Sequence, residues 1–281
     1  MIWLLGDSTL DNKHWFPDTE PAVNGYEQIL TPPRSTADVA HHLNSEIVAR
    51  GLGESFVTIN TSVEEATLGA RIRPQPLLSQ DAFCRDQLRP EDVLVVSCGG
   101  NDIALRPTAW TAAAMVALLA TPTVLIKHAG SSPIFHHLVP GLGHFIHLFG
   151  TEARRFIERV CEHTTPRAVV VCMLYYLDEV AGGSWADGTL RMLGYNSNPA
   201  KLQLIMRIIY ERAISTIELN GTKVIPVPMY EVLDGKNTDD YVARVEPSSQ
   251  GGRKLAKLLM DRLMASLPPR EMPSSTTSDN H

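Results

Sequence analysis

The sequence predicts an α/β protein in which a parallel sheet of about five strands lies between layers of helices. Short apolar runs alternate along the chain with longer segments of helical periodicity. Continuous apolar runs are typical of strands buried on both faces. Strands that alternate with helices need crossover connections, which pair the strands in parallel. The 281 residues allow one large domain or two small ones, but no internal repeat or linker divides them.

Apolar runs predict strands at 2–5, 56–59, 93–98, 168–173 and 223–227. Helices are predicted at 36–50, 151–161, 198–220 and 249–267. In the first of these helices, Val39, Leu43 and Ile47 share one face, and Gly51 ends the pattern. The apolar stretch 110–126 is too short for a membrane span and is broken by Pro122. It predicts a buried helix followed by a turn.

Composition excludes several classes of protein. The net charge of −6 argues against a nucleic-acid partner, and 44% apolar residues exclude wholesale disorder. The apolar start of five residues lacks the features of a signal peptide, which predicts a cytoplasmic protein. The composition of 267–281 predicts a disordered tail. The cysteines show no metal-ligand spacing and are predicted to be reduced: Cys84, Cys98, Cys161 and Cys172.

Two turns follow predicted strands where ligands bind in sheets of this kind, outside the carboxyl ends. Gly6-Asp7-Ser8-Thr9 follows the first strand, and Gly99-Gly100-Asn101-Asp102 follows the third. Each tetrapeptide alone is common in loops. Their occurrence together, at corresponding ends of two strands, is a more specific signal and predicts a site that contains a serine hydroxyl.

With these two turns, the chain resembles the SGNH/GDSL hydrolase superfamily over about residues 1–266. Members of that superfamily include esterases, lipases, acetylesterases and thioesterases. The resemblance implies a flavodoxin-like three-layer α/β/α sandwich, with a single domain over 1–266 and the tail beyond it. The segment at about 106–150 is longer than a minimal member needs and is interpreted as an insertion.

The resemblance also implies roles for individual residues. It makes Ser8 the nucleophile and assigns oxyanion hydrogen bonds to the Ser8 backbone N–H and the Asn101 side chain. Glu65 occupies the place of a usual glycine, and its carboxylate is expected close to the oxyanion. Asp7 and Asp102 are expected to brace their own loops by accepting backbone N–H bonds. The remaining residues expected at the cleft are Gly6 and Gly100.

The general base departs from the family pattern. Where the family has Asp-x-x-His before the last helix, this chain has Ala243 for the aspartate and Glu246 for the histidine. Imidazole, with a pKa of about 6.5, can take the serine proton and return it at neutral pH. A glutamate with a pKa of about 4.3 is a poor base. The neighbouring helix N-terminus is expected to stabilise the Glu246 anion further unless burial acts in the opposite direction.

Three hypotheses for Ser8 remain open. A relocated histidine acts as the base, either His14 or one from the insertion: His128, His136, His137, His144 or His147. Alternatively, Glu246 acts as an unusual base, with Asp239 or Asp240. In the third hypothesis the site is inactive and the protein is a binding or structural subunit of an assembly. Either active route predicts hydrolysis of a carboxylic ester through an acyl-Ser8 intermediate, without a cofactor.

The insertion and the loop after the fourth strand supply further candidate side chains. The insertion is rich in histidine but lacks a zinc motif such as HExxH, so no metal is predicted. Its apolar residues are interpreted as core, acyl groove, lid or protein contact: Trp110, Leu118, Leu119, Ile134, Phe135, Leu138, Phe145 and Phe149. The loop 175–187 is expected to form the opposite rim. Carboxylates also gather at the predicted site end: Asp7, Asp11, Asp102, Asp178, Glu179, Asp239, Asp240 and Glu246.

Overall fold

The computed structural model describes residues 1–15, 19–72, 74–131 and 138–267. Residues 268–281 of the expected tail, and the side chains of Ile134, Phe135, His136 and His137, lie outside these residues. The strands are β1 (Ile2–Gly6), β2 (Thr19–Pro21), β3 (Arg34–Thr36), β4 (Thr58–Asn60), β5 (Val93–Ser97), β6 (Ala168–Met173), β7 (Lys223–Pro228), β8 (Tyr241–Val242) and β9 (Glu246–Pro247).

Helices connect the strands of the main sheet. They are α1 (Val39–Ala49), α2 (Ser79–Gln87), α3 (Gly100–Ala104), α4 (Ala109–Ala120), α5 (Thr123–Ser131), α6 (Leu142–Ile146), α7 (Ala153–Val160), α8 (Asp187–Met192), α9 (Pro199–Arg212) and α10 (Ser249–Ser266). A π-helical turn, His147–Glu152, joins α6 to α7.

The main sheet has five parallel strands in the order β4-β1-β5-β6-β7. Numbered along the chain, these strands follow the flavodoxin-like order 2-1-3-4-5, and the order reverses between β1 and β5. The predicted fold class is therefore confirmed. The reversal places the ends of β1 and β5 side by side, and these are the strands that carry the two turns.

Both faces of the sheet are buried, which explains the continuous apolar runs. On one face, Trp3 and Leu5 of β1 pack with side chains of α2, α4, α5, α6, α7 and α9. On the other face, Ile2 and Leu4 pack with side chains of α1 and α10. Successive residues of a strand point to opposite faces, so a strand between two helical layers needs apolar residues at every position.

Several elements differ from the sequence prediction. Helix α9 ends at Arg212, and a turn of 3-10 helix, Ile214–Thr216, follows because the buried Ile214 and Ile217 direct the chain back into the core. Helix α4 was expected to be buried, but Trp110 and Val116 are 72% and 69% exposed. Only one face of α4 packs against the domain. The hairpins β2–β3 and β8–β9 were not predicted because such short strands carry no detectable periodicity.

Two further properties bear on the sequence predictions. Among the described helices, none alone has the length and apolar character to cross a membrane, and α4 with Thr123–Gly130 reaches that composition only as a pair bent by 105°. All four cysteines are free. Leu267, the first residue of the expected tail, is buried beside α10.

Candidate active site

The turn after β1 is fixed by close packing and by Asp7. Gly6 pairs with Ser97 of β5, and a Cβ on Gly6 would lie 2.1 Å from the Ser97 carbonyl oxygen, so only glycine fits. The Asp7 carboxylate accepts a hydrogen bond from the Thr9 N–H at 3.2 Å. Asp7 therefore braces its own loop, as expected. The turn leaves Ser8 half-buried at the mouth of a cleft.

The turn after β5 holds Asn101 beside the same cleft. Gly99 has a φ of 100°, and α3 begins at the next residue. The Asn101 Nδ2 donates to the carbonyl oxygen of Ala66 at 3.1 Å. Because an amide nitrogen carries two protons, the second N–H remains for a ligand in the cleft.

Asp102 braces a different loop from the one predicted. Its carboxylate accepts hydrogen bonds from the N–H groups of Leu68 and Gly69, at 2.8 and 3.0 Å. These residues belong to the loop after β4, so the expectation that Asp102 braces its own loop is wrong. The loop after β4 lies against the start of α3, so the backbone N–H groups of Leu68 and Gly69 reach the Asp102 carboxylate. Asp102 thereby links the β4 and β5 ends of the sheet.

Glu65 has the backbone of a glycine position but a side chain turned away from the cleft. Its φ is 58°, in the left-handed region that favours glycine. Its side chain is 59% exposed and lies 3.1 Å from Arg106. Glu65 is not among the residues that line the cleft. The expected carboxylate beside the oxyanion is thus absent from the described cleft lining, because solvent and Arg106 attract it outward.

Replacing Glu65 with glycine should stabilise the protein relative to Glu65→Gln. The left-handed backbone costs a residue with a Cβ about 1–2 kcal/mol, and the greater freedom of glycine in the unfolded chain offsets part of this. We expect the free energy of unfolding to be higher for Glu65→Gly by roughly 0.5–1 kcal/mol. Urea denaturation measures this difference in the free energy of unfolding. Both variants lack the ion pair with Arg106, so the comparison isolates the effect of the backbone. A Glu65→Gly protein less stable than Glu65→Gln would contradict the role of the backbone.

The structure places Glu246 next to Ser8. The Ser8 Oγ donates a hydrogen bond to Glu246 Oε1 at 3.1 Å. Glu246 lies in β9 and is only 7% exposed, and its Oε2 is buried without a hydrogen-bond partner. The Tyr175 hydroxyl, which donates to the Val245 carbonyl at 2.6 Å, fixes the backbone just before Glu246. The carboxyl group is therefore held at the Ser8 hydroxyl.

Burial decides the acidity of Glu246. Loss of water, and to a lesser extent the nearby Asp7 carboxylate, raise the pKa of Glu246 to about 8, and the Ser8 hydrogen bond opposes this change. Burial also raises the pKa of Asp7, to about 6. Burial thus outweighs the neighbouring helix N-terminus, which is the exception foreseen from the sequence, and Ser248 caps that helix, α10, by accepting a hydrogen bond from the Gly251 N–H.

The histidine proposed as a relocated base does not reach the cleft. His14 is 63% exposed, and its Nε2 lies 3.1 Å from Glu64 Oε2. No histidine in the described ranges lines the cleft that contains Ser8. Other described histidines contact groups elsewhere: His41 bonds Ser35, His42 bonds Ser249, His144 bonds Thr111, and His147 lies near Glu152.

Most of the carboxylates predicted to gather here have other partners. Of the eight, only Asp7 and Glu246 line the cleft. Asp240, suggested as a helper of Glu246, is buried and lies 2.6 Å from Lys254 Nζ. Asp178 accepts from the Val180 N–H at 2.9 Å. Within the described residues, no three His, Cys, Asp or Glu side chains are grouped so that they could hold a metal ion.

Arg244 holds the turn that carries Glu246, and sequence reasoning missed this role. Its guanidinium is buried, donating to Asp187 Oδ1 at 2.6 Å, to Asn196 Oδ1 at 3.1 Å and to the carbonyl oxygen of Asp178. Ala243 and Arg244 both have a positive φ, 47° and 67°. A lone arginine in a loop gives no sequence signal, since its partners come from distant segments.

The cleft has a volume of about 160 Å³ and a mainly apolar lining. Its polar end is formed by Asp7, Ser8, Asn101 and Glu246. Its remaining lining includes Gly100, Ile103, Met115, Leu174, Tyr175, Trp185, Leu202 and Met206. Tyr175 and Trp185 belong to the loop expected at the opposite rim, and both line the cleft. The site thus combines a serine hydroxyl and a buried carboxyl group with space for an apolar group.

Fold and site together define a flavodoxin-like α/β protein with a serine–glutamate pair at the point where strand order reverses. The chain is similar to a lipase from a goat rumen metagenome, with 15% identity, 93% of this chain and 96% of that chain covered, and a TM-score of 0.49. It is also similar to an acetyl xylan esterase from Geobacillus stearothermophilus, with 12% identity and a TM-score of 0.45, and the alignment covers 93% of each chain.

A GDSL-like lipase from Parabacteroides merdae is also similar in structure. It shares 13% identity, with 93% of this chain and 94% of that chain covered and a TM-score of 0.45. No protein-family model and no curated protein matches the sequence.

Proposed function

We propose that this protein is a serine hydrolase of carboxylic esters, with Ser8 as nucleophile and Glu246 as general base. One observation carries the proposal: the 3.1 Å hydrogen bond from the Ser8 hydroxyl to a buried carboxyl group. A serine hydroxyl is a weak nucleophile until a neighbouring base takes its proton. In this cleft, Glu246 is the group positioned to take it.

The environment of Glu246 makes a carboxylate suited to this work. General acid–base catalysis is most efficient when the pKa of the catalytic group lies near the working pH. Burial raises the pKa of Glu246 to about 8, so its anion is a much stronger base than an exposed glutamate. At neutral pH, one carboxyl group can both accept the serine proton and return it.

In the acylation step, the Ser8 Oγ attacks the ester carbonyl carbon while its proton passes to ionised Glu246. The carbonyl oxygen becomes an oxyanion, expected to accept hydrogen bonds from the Ser8 backbone N–H and from Asn101 Nδ2. Collapse of the tetrahedral intermediate breaks the bond to the leaving alkoxide, which takes the proton from Glu246 and departs as an alcohol. Ser8 is left acylated and Glu246 is ionised again.

Deacylation repeats these steps with water. Glu246 accepts a proton from a water molecule as the water oxygen attacks the acyl carbon. The second tetrahedral intermediate collapses, and the Ser8 oxygen leaves with the proton held by Glu246. The products are a carboxylic acid and the free serine hydroxyl, so the protein returns to its starting state.

Labelling with a fluorophosphonate tests the nucleophile directly. We expect the probe to modify the wild-type protein at Ser8, and Ser8→Ala to abolish both labelling and ester turnover. Ser62→Ala is the matched control, because Ser62 is a buried serine with an unpaired hydroxyl that does not line the cleft. Unchanged labelling in Ser8→Ala, measured by intact mass, would refute an acyl-Ser8 mechanism.

The second candidate is a binding or structural subunit without activity. It is favoured by the finding that no described histidine lines the cleft. A protein partner would then contact the insertion, where Trp110, Val116, Val124 and Leu125 are exposed. Absence of both labelling and turnover would favour this candidate. In either case the four free cysteines agree with the reducing cytoplasm as its compartment.

A further inference from the structure

A second cavity, called the inner cavity below, adjoins the active-site cleft. It is lined by Ile103, Met115, Leu118, Leu119, Phe145, Phe149, Met173, Leu174, Leu202, Ile205, Met206 and Ile209. All of these side chains are apolar, and the cavity has a volume of about 50 Å³. A water molecule there would find no polar side chain, and empty cavities in proteins are typically apolar. The chemistry of the wall therefore favours an apolar occupant.

The inner cavity and the cleft are adjacent parts of one apolar space. Five residues line both: Ile103, Met115, Leu174, Leu202 and Met206. Met115 belongs to α4 of the insertion and Met206 to α9, so these two flexible side chains stand between the two spaces. Methionine has an unbranched, adaptable side chain and can move aside for a ligand.

The inner cavity also lies close to the reacting groups. Phe149 forms part of its wall and packs against the turn that carries Asn101. A Cβ on Gly99 would lie 2.8 Å from the Phe149 ring, so the absence of a side chain at Gly99 admits the ring. An acyl chain attached to Ser8 would therefore begin at the polar end of the cleft and find an apolar space adjoining it.

We propose that the acyl chain of the substrate enters this inner cavity, so that the protein acts on esters of medium-length acyl groups in preference to acetyl esters. The proposal rests on the hydrolase function proposed above. It makes α4 and α9 the elements that determine acyl specificity. Leu119 lines the inner cavity but not the cleft, and its position on α4 places it where added bulk would shorten the available space.

The expected preference follows from burial of methylene groups. Each methylene that leaves water contributes about a fourfold gain in kcat/KM, which is the rate equivalent of its transfer free energy. A hexanoyl ester has four more methylenes than an acetyl ester, so we expect a preference of roughly 250-fold. Rates on p-nitrophenyl acetate, butanoate, hexanoate and dodecanoate measure this preference.

Leu119→Phe tests the location of the chain, with Val116→Phe as its matched control. Both variants add a ring to α4, but Val116 lies on the exposed face of the helix and lines neither space. We expect Leu119→Phe to reduce kcat/KM for the hexanoate at least tenfold and leave the acetate unchanged. Val116→Phe should behave like the wild type. Preference for acetate in the wild type, or equal losses for both esters in Leu119→Phe, would overturn the proposal.

A binding measurement separates this proposal from the proposed function. Calorimetric titration of Ser8→Ala with octanamide and with acetamide needs no turnover, and these neutral amides avoid repulsion by the cleft carboxylates. We expect octanamide to bind to Ser8→Ala and acetamide to bind at least tenfold more weakly. In the double variant that also carries Leu119→Phe, we expect this difference in affinity to disappear. If esters are not hydrolysed and this pattern still holds, the hydrolase function fails and the apolar site stands. If Ser8 turns over esters without any chain-length preference, the apolar site fails alone.

Discussion

Glu246→Gln is expected to lower kcat for ester hydrolysis by about 10³-fold. Glutamine has almost the same shape and can keep a hydrogen bond to the Ser8 hydroxyl, but it cannot accept the serine proton. The hydroxyl then remains a weak nucleophile, while the fluorophosphonate and ester still fit the cleft. Steady-state kinetics on the wild type and the variant, with an ester of fixed chain length, measure the loss.

The pH profile of the wild type identifies the base. Glu246 must be ionised to accept a proton, and its pKa is raised to about 8. We therefore expect kcat/KM to rise about tenfold per pH unit below pH 8 and to level off above it. Glu64→Gln is the control. It also removes a carboxylate near Glu246, but Glu64 raises the pKa of Glu246 less than burial and Asp7 do. A profile that levels off near pH 6.5 would instead indicate a histidine.

The same Glu246→Gln substitution should change how stability depends on pH. The raised pKa of about 8 means that the folded protein holds the Glu246 proton more tightly than the unfolded chain. The stability that Glu246 contributes is fully present below about pH 4.5, the pKa of this group in the unfolded chain, and it is lost as the pH rises towards 8. Glutamine stays neutral and loses no such stability. The free energy of unfolding of Glu246→Gln, relative to that of the wild type, should therefore increase by on the order of 4 kcal/mol as the pH rises from 5 to 9.

Urea denaturation of both proteins at pH 5, 7 and 9 measures this gain. Asp7, whose pKa is also raised, is present in both proteins and largely cancels in the comparison. Glu64→Gln again serves as the control and is expected to follow the wild-type curve. If the difference between Glu246→Gln and the wild type stays constant from pH 5 to pH 9, Glu246 does not have a raised pKa.

Sequence patterns were sufficient where the physical cause is local or periodic. The five strands of the main sheet were predicted because burial on both faces demands continuous apolar runs. The Gly6–Thr9 and Gly99–Asp102 turns were predicted to meet because parallel strands present their carboxyl ends at one edge. The strand order, with its reversal between β1 and β5, brings those two turns together.

The resemblance directed attention to Glu246, but the sequence left its acidity open between stabilisation of the anion by a helix N-terminus and the opposite effect of burial. A helix N-terminus three residues away argued for a stabilised anion. In the folded protein, Ser248 occupies that N-terminus, and the surroundings of Glu246 exclude water. The neighbours of Glu246 include Asp7, Ser8 and Tyr175, which follow β1 and β6 and lie far from it in the sequence, so no local pattern reports its burial.

Several side-chain directions were also decided only in three dimensions. Glu65 turns towards Arg106, and His14 towards Glu64, so neither fulfils the expectation for the cleft. Arg244 reaches Asp187 and Asn196, which lie far from it in the sequence. Such contacts depend on which partner is nearest after folding.

Residue type and spacing were enough to predict a five-stranded parallel sheet, the two turns, and a glutamate, Glu246, where the family that the chain resembles has a histidine. The folded chain was needed to show that this carboxyl group is buried against Ser8, that no described histidine lines the cleft, and that an apolar cavity adjoins it. The physical reason is that strand formation follows from residue type and spacing. The pKa of a carboxyl group follows from the water and charges that surround it after the chain has folded.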